Sequence, residues 1–236
     1  MGILSSVTKA RRHILIWIAI GMFSSAAIAA KPNLADVVRL EMLRADVGYF
    51  EHVAGPPWKR NEKFRIYKVA GCLVTAGVDS GEVISIKVGL SPKCSFDLQS
   101  LVPNLDAKVP STAYQLTFGK FDQLSRGGGQ FYSDCITDCG NAADPFVWQH
   151  WQGSRADSSI EVLLEVVVAG DQAVEAASEL AKLMLAEHGE QWVWDGKFNC
   201  GNGKFDKAAH LLFKDVRITA ITVGYDIRPS LCKTLK

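Results

Sequence analysis

The amino-acid sequence predicts an α+β fold in which antiparallel sheet carries helices packed on one face, and three observations support that expectation. Over 160–168, Ile160, Val162, Leu164, Val166 and Val168 alternate with Glu161, Leu163, Glu165 and Val167, the two-residue period of a strand with one buried face. From Asp171 onward, Val174, Ala177, Leu180, Ala181, Met184, Leu185 and His188 share one helical face, and Gly189 supplies the stop. Three β-rich runs, 64–69, 72–76 and 83–90, follow one another closely, with Asp79-Ser80-Gly81 as a turn between the second and third. Strands joined by hairpins and set apart from helices favour α+β over a doubly wound parallel sheet.

The first element reads as an address rather than as structure. Lys9, Arg11 and Arg12 precede a ten-residue apolar run over 14–23, and Ala27-Ile28-Ala29 has the small-residue pattern a signal peptidase needs. A signal peptide over 1–29, cleaved after Ala29, is therefore expected. The run falls short of the about 20 apolar residues that cross a bilayer, so no stable membrane span is expected after cleavage. No cysteine sits at the cleavage point for lipidation, and the expected location is periplasmic or secreted.

Asn33 then offers an N-cap to a helix containing Leu34, Val37 and Val38, with Asp36 near the positive end of its dipole. The helical pattern continues through Leu40, Leu43, Val47 and Phe50, with Gly48 as the expected break. Gly55-Pro56-Pro57 ends it, because proline lacks a backbone donor and restricts the residue before it. In the strand over 83–90, Ile84, Ile86, Val88 and Leu90 are expected on one face and Val83, Ser85 and Lys87 on the other. Residues 91–112 hold Pro92, Pro103 and Pro110 without a sustained period and read as a connection. The chain then divides into a helix-plus-meander half over 30–105 and an α+β half over 106–236, or runs through as one continuous domain.

A second loop-rich stretch runs from Ser125 through Gly127-Gly128-Gly129 to Pro145. Those glycines lack the lysine and following helix of a phosphate loop and read as flexible punctuation. A short helix is expected over 146–151, with Trp148 and Trp151 three residues apart. After the helix that begins at Asp171, a strand over 192–198, a short helix over 205–213 and a final strand over 216–225 complete the reading.

The composition narrows the function classes. The chain has 236 residues, 48% apolar and 22% charged, with 26 Lys plus Arg against 25 Asp plus Glu. Disordered, collagen-like and strongly basic nucleic-acid-binding chains are excluded on that balance. Loss of 1–29 removes three cations, leaving 23 positive against 25 negative residues, or −2. All six cysteines survive processing, and an even number in an exported protein argues for disulfides. Six cysteines allow fifteen connectivities. Proximity in sequence favours Cys72–Cys94, which would brace a hairpin, with Cys135–Cys139 and Cys200–Cys232.

The block from Ala45 to Leu90, a helix followed by Gly55-Pro56 and then an antiparallel meander with a Gly81-containing turn, resembles a known layout. It is similar to the helix-plus-meander unit of outer-membrane-assembly lipoproteins of the SmpA/OmlA type and of β-lactamase inhibitor proteins. That resemblance covers about 45 residues and implies a binding module rather than an enzyme. It departs at the missing lipidation cysteine and carries over no functional residue. Gly71-Cys72, Leu90-Ser91-Pro92-Lys93-Cys94 and the run from Cys139 to Pro145 also resemble segments of uncharacterised exported bacterial proteins, which implies no activity.

Few residues suggest reaction chemistry. Cys135-x-x-x-Cys139 has the spacing of a Cu(I) or redox pair, but four other cysteines in an oxidising compartment favour a structural disulfide. His52, His150, His188 and His210 show no metal-ligand spacing, so neither metal nor cofactor is expected. His188, near a helix C-terminus, reads as packed or dipole-stabilised. No G-x-S-x-G is present, and no Ser or Cys stands beside a base. Glu161 and Glu165 would lie roughly 13 Å apart on one strand face, beyond a glycosidase pair's separation, and read as solvated.

The remaining feature is Trp148, His150, Trp151 and Arg155, residue types enriched at protein interfaces and flanked by Phe146. Burial of both tryptophans in the core is the competing reading. The expectation is an exported protein-binding module of inhibitor, immunity or envelope-assembly type, whose partner is an envelope or secreted protein. A cell-envelope hydrolase grouping His150 with Asp134, Asp138 or Asp144 is the alternative, and metal or redox handling through Cys135 and Cys139 a third.

Overall fold

Asn33 caps α1 (Leu34–Val37), its side chain accepting from the Ala35 N–H at 3.3 Å in the computed structural model. The structure describes residues 31–133, 135–137, 144–153, 160–190 and 203–228. The signal segment, Asp134, Asp138, Cys139, Arg155, the strand expected over 192–198, Cys200 and Cys232 lie outside the described residues. The helical region breaks before Gly48. The chain leaves α1 at Val38, makes a 3-10 turn over Leu40–Met42, and adopts a positive φ of 66° at Arg44. Asp46 then accepts from the Gly48 and Tyr49 N–H groups at 2.8 and 3.2 Å, restarting the helix as α2 (Val47–Ala54). Gly48 sits inside α2, which ends at Gly55 with φ +84°.

Eight strands form one wholly antiparallel sheet: β1 (Lys59–Arg60), β2 (Phe64–Val69), β3 (Cys72–Asp79), β4 (Glu82–Gly89), β5 (Gln130–Ser133), β6 (Phe146–Gln152), β7 (Glu161–Val167) and β8 (Ala220–Gly224). Their spatial order is β1-β2-β3-β4-β8-β7-β6-β5. The last strand therefore joins the N-terminal meander to the C-terminal one, pairing Val88 with Ile221 and Leu164 with Ile221 on its two sides. The described residues form one compact unit.

The expected face assignment in β4 needs a correction. The β3–β4 register shifts at Gly77/Val78, so Val83 turns into the core with Ile86 and Val88 while Ile84 is half-buried. An irregularity of this kind rotates the residues beyond it to the opposite face. The helix expected over 146–151 is strand β6, which pairs with β7 from Phe146↔Val167 to Gln152↔Glu161. Its alternation of Val147, Gln149 and Trp151 against Phe146, Trp148 and His150 satisfies a two-residue period better than a helical one.

The stretch after 112 holds α3 (Phe118–Ser125), absent from the sequence reading although Thr117 caps it and Phe118, Phe121 and Leu124 recur at helical spacing. Strand β5 follows within the stretch read as loop. Helices α4 (Asp171–His188) and α5 (Asp206–Phe213) pack on each other, and Gly189 ends α4 with φ +78°. Val174 is exposed and Ala173 and Ala176 are buried instead, a small rotation of the expected face.

One face of the sheet carries the helices. Phe50 of α2 meets Tyr67 of β2 with centroids 5.1 Å apart, and Phe118 of α3 and Phe213 of α5 meet Phe131 of β5 at 5.4 and 5.8 Å. All five rings are buried, each contributing about 2–3 kcal/mol. The opposite, open face presents by register Ile66 and Lys68, Leu73 and Thr75, Lys87 and Gly89, Ala220 and Thr222, Leu163 and Glu165, and Trp148 and His150.

Cys72 and Cys94 are disulfide-bonded with Cα atoms 5.5 Å apart, bracing the β3–β4 hairpin. Cys135 is also disulfide-bonded. Among the described residues no helix is long and apolar enough to cross a membrane.

Candidate functional site

Two polar groupings occupy the open face of the C-terminal strands. In the first, Lys87 of β4 reaches across β8, where Ala220 and Thr222 are small, to the Glu165 carboxylate of β7 at 2.8 and 3.0 Å. From the other side the Trp148 indole Nε1–H donates to Glu165 Oε2 at 2.8 Å, and Phe146 stacks on Trp148 at 5.8 Å and 10°. One carboxylate thus fixes a cation and an aromatic ring across four strands.

The second grouping is more buried. His150 Nε2 lies 3.0 Å from Glu161 Oε2, and the Ile227 N–H donates to the same oxygen at 2.8 Å. Burial alone would raise the Glu161 carboxyl, but the bonds from His150 and Ile227, with the His150 charge, outweigh it and hold the group below its ordinary range. Beside them the Tyr132 hydroxyl donates to Gln130 Oε1, and burial raises that phenol. Glu161 and Glu165 are therefore not the solvated residues expected: their side chains are only 12% and 13% exposed, and each has a committed partner.

On the helix-bearing face lies a third grouping, which sequence reading missed. Gln149, fully buried on β6, donates from Nε2 to Asp122 Oδ1 of α3 at 2.8 Å, and Asp122 Oδ2 meets His210 Nδ1 of α5 at 2.7 Å. His210 Nε2 meets the Gly129 carbonyl at 2.9 Å. Both ring nitrogens face acceptors, so the ring satisfies both bonds only when doubly protonated. The hydrogen bond to Asp122 is the main cause raising the His210 pKa, and it outweighs the burial that would lower it.

The glycine run is part of this clasp. A Cβ on Gly128 would lie 1.8 Å from His210 Cε1, and one on Gly129 would lie 2.1 Å from the His150 carbonyl. Close approach, rather than looseness, requires glycine at both positions. The clasped loop forms one wall of a cleft of about 360 Å³, shared with Arg126, Gln130, Gln152 and Arg228.

Of the four sequence candidates, the structure separates the tryptophans. Trp148 and His150 share the open face, while Trp151 points to the helices and meets Phe121 edge-on at 6.0 Å. Arg155 lies outside the described residues. His150 pairs with Glu161 rather than Asp144, and Lys87 joins the site from 61 residues earlier in the chain than Trp148. Among the described residues no cluster of three His, Cys, Asp or Glu side chains has the arrangement of a metal site.

These features define an eight-stranded antiparallel sheet with helices on one face and an ordered aromatic and charged row on the other. No family model, curated protein or solved structure matches the chain.

Proposed function

We propose that this chain is an exported protein-binding module of the cell envelope, and that the open face around Trp148 is its binding surface. The observation that carries the reading is the Lys87–Glu165–Trp148–Phe146 row. Side chains set on rigid strands and held by one another lose little conformational freedom when a partner arrives, which favours binding. Tryptophan in such a row supplies large contact area with a polar handle.

The opposed tryptophans provide the test. Crosslinked capture from the native envelope compares wild type with Trp148→Ala and Trp151→Ala, each checked by circular dichroism. The proposal expects a reproducible envelope or secreted protein that Trp148→Ala loses and Trp151→Ala retains. Capture of no reproducible protein by the wild type, or equal capture by all three, contradicts it.

A further inference from the structure

The sheet ends in a surface that the Trp148 row does not use. Trp58, just before β1, is 61% exposed, and the Lys68 ammonium sits 4.3 Å from the centre of its ring. Leu73, the cross-strand neighbour of Lys68, is 51% exposed. Lys59 projects on the same face through its pairing with Ile66. Lys59 and Lys68 are exposed, and neither has an ion pair among the described residues.

Lysines alone have an ordinary explanation, because charge on an edge strand discourages pairing with another sheet. That role does not require an exposed indole and an exposed leucine. An amphipathic ring and an aliphatic side chain surrounded by uncompensated ammonium groups match a different environment, the interface of an anionic bilayer. There the indole sits among headgroups, the leucine enters the acyl boundary, and each cation meets negative surface potential.

We propose that the β1 edge, formed by Trp58, Lys59, Lys68 and Leu73, docks peripherally on anionic phospholipid. β1 lies six strand spacings from β6, about 29 Å, while Leu73 on β3 adjoins β4, the strand that carries Lys87 at the near end of the row. Twist of about 20° per strand turns Trp58 and Trp148, at the far ends of the shared face, away from each other, so one module holds membrane and protein together.

Flotation with lipid vesicles tests this, using protein purified from the compartment where it accumulates. The vesicles are phosphatidylcholine alone or with 30 mol% phosphatidylglycerol, a composition chosen to be of roughly the anionic content that supports such binding. Flotation is expected only with the anionic vesicles and is expected to disappear at about 0.5 M salt. Lys59→Gln/Lys68→Gln should lower partitioning about 25-fold, near fivefold per cation, and Trp58→Ala severalfold. All substituted side chains are exposed, and unchanged thermal unfolding confirms that the variants fold.

Absence of flotation at low salt, or flotation unchanged in both variants, overturns the proposal. So does binding of the wild type to poly-L-glutamate with no binding to vesicles, which identifies an acidic polypeptide as the occupant instead. Loss of flotation with envelope-protein capture intact leaves the Trp148 reading standing, so the two fail separately.

Discussion

Replacing Gly128 by alanine tests the clasp most severely. The new Cβ would stand 1.8 Å from His210 Cε1, 2.6 Å from Nε2 and 2.7 Å from Asp122 Oδ1, so the ring must move. Movement of that size breaks the bond to the Gly129 carbonyl, the bond to Asp122, or both. A hydrogen bond to a charged group is worth about 1.5–3 kcal/mol, and the alanine returns about 0.4–1 kcal/mol by restricting the unfolded chain. The net loss is about 0.5–2.5 kcal/mol if one bond breaks and about 2–5.5 kcal/mol if both do, at about 2–4 °C in Tm per kcal/mol for a domain of this size. Denaturant unfolding at a series of pH values checks it. His210 has a folded pKa raised above its ordinary 6.5, so the clasp contributes fully below that pH and is lost as pH rises through the folded value. The gap between wild type and Gly128→Ala should therefore be widest near pH 6 and narrow in alkali. In a His210→Ala background the same substitution should cost under about 0.5 kcal/mol. A gap below that size at pH 6, or one independent of pH, refutes the reasoning.

The acid limb has the opposite sign. Glu161 is held below its ordinary range, so its contribution is present above that range and lost as pH falls through the folded value; Glu161→Gln should flatten the acid limb of an unfolding curve measured against pH. Replacing both Cys72 and Cys94 by alanine opens a bridge of sequence separation 22, expected to cost about 3 kcal/mol by calorimetry. Asp46→Ala removes the cap on α2 and should cost about 1 kcal/mol in denaturant unfolding, with Asp46→Asn recovering most of it.

What was legible in the sequence was local. The alternation of β7, the helical face of α4, the Asp79-Ser80-Gly81 turn and the Asn33 cap each rest on neighbours within a few residues, and each has its counterpart in the structure. Cys72 and Cys94 were also paired by proximity. In β6 two tryptophans three residues apart mimic helical spacing, although Phe146-Val147-Trp148 carries strand-forming residues. In α3 the Thr117 cap and the three apolar residues were available signals that the neighbouring glycines obscured.

The site was hidden for a different reason. Asp122 and His210 are 88 residues apart, and Lys87 and Glu165 are 78 apart. Neither pairing leaves a periodic trace, because each is created by sheet order and helix placement. The face exchange in β4 is likewise invisible without the register shift that causes it. Glu161 and Glu165 illustrate the point: the same alternation that places them on the open face says nothing of the partners that arrive from β4 and β6.

A photo-reactive phenylalanine analogue addresses the central claim directly. One copy replaces Thr75, beside Lys87 on the open face, and a control copy replaces Leu183, half-exposed on α4. Irradiation in the native envelope should yield a discrete protein adduct from position 75 and none from position 183. An adduct from position 183 alone would place the partner on the helices and contradict the account.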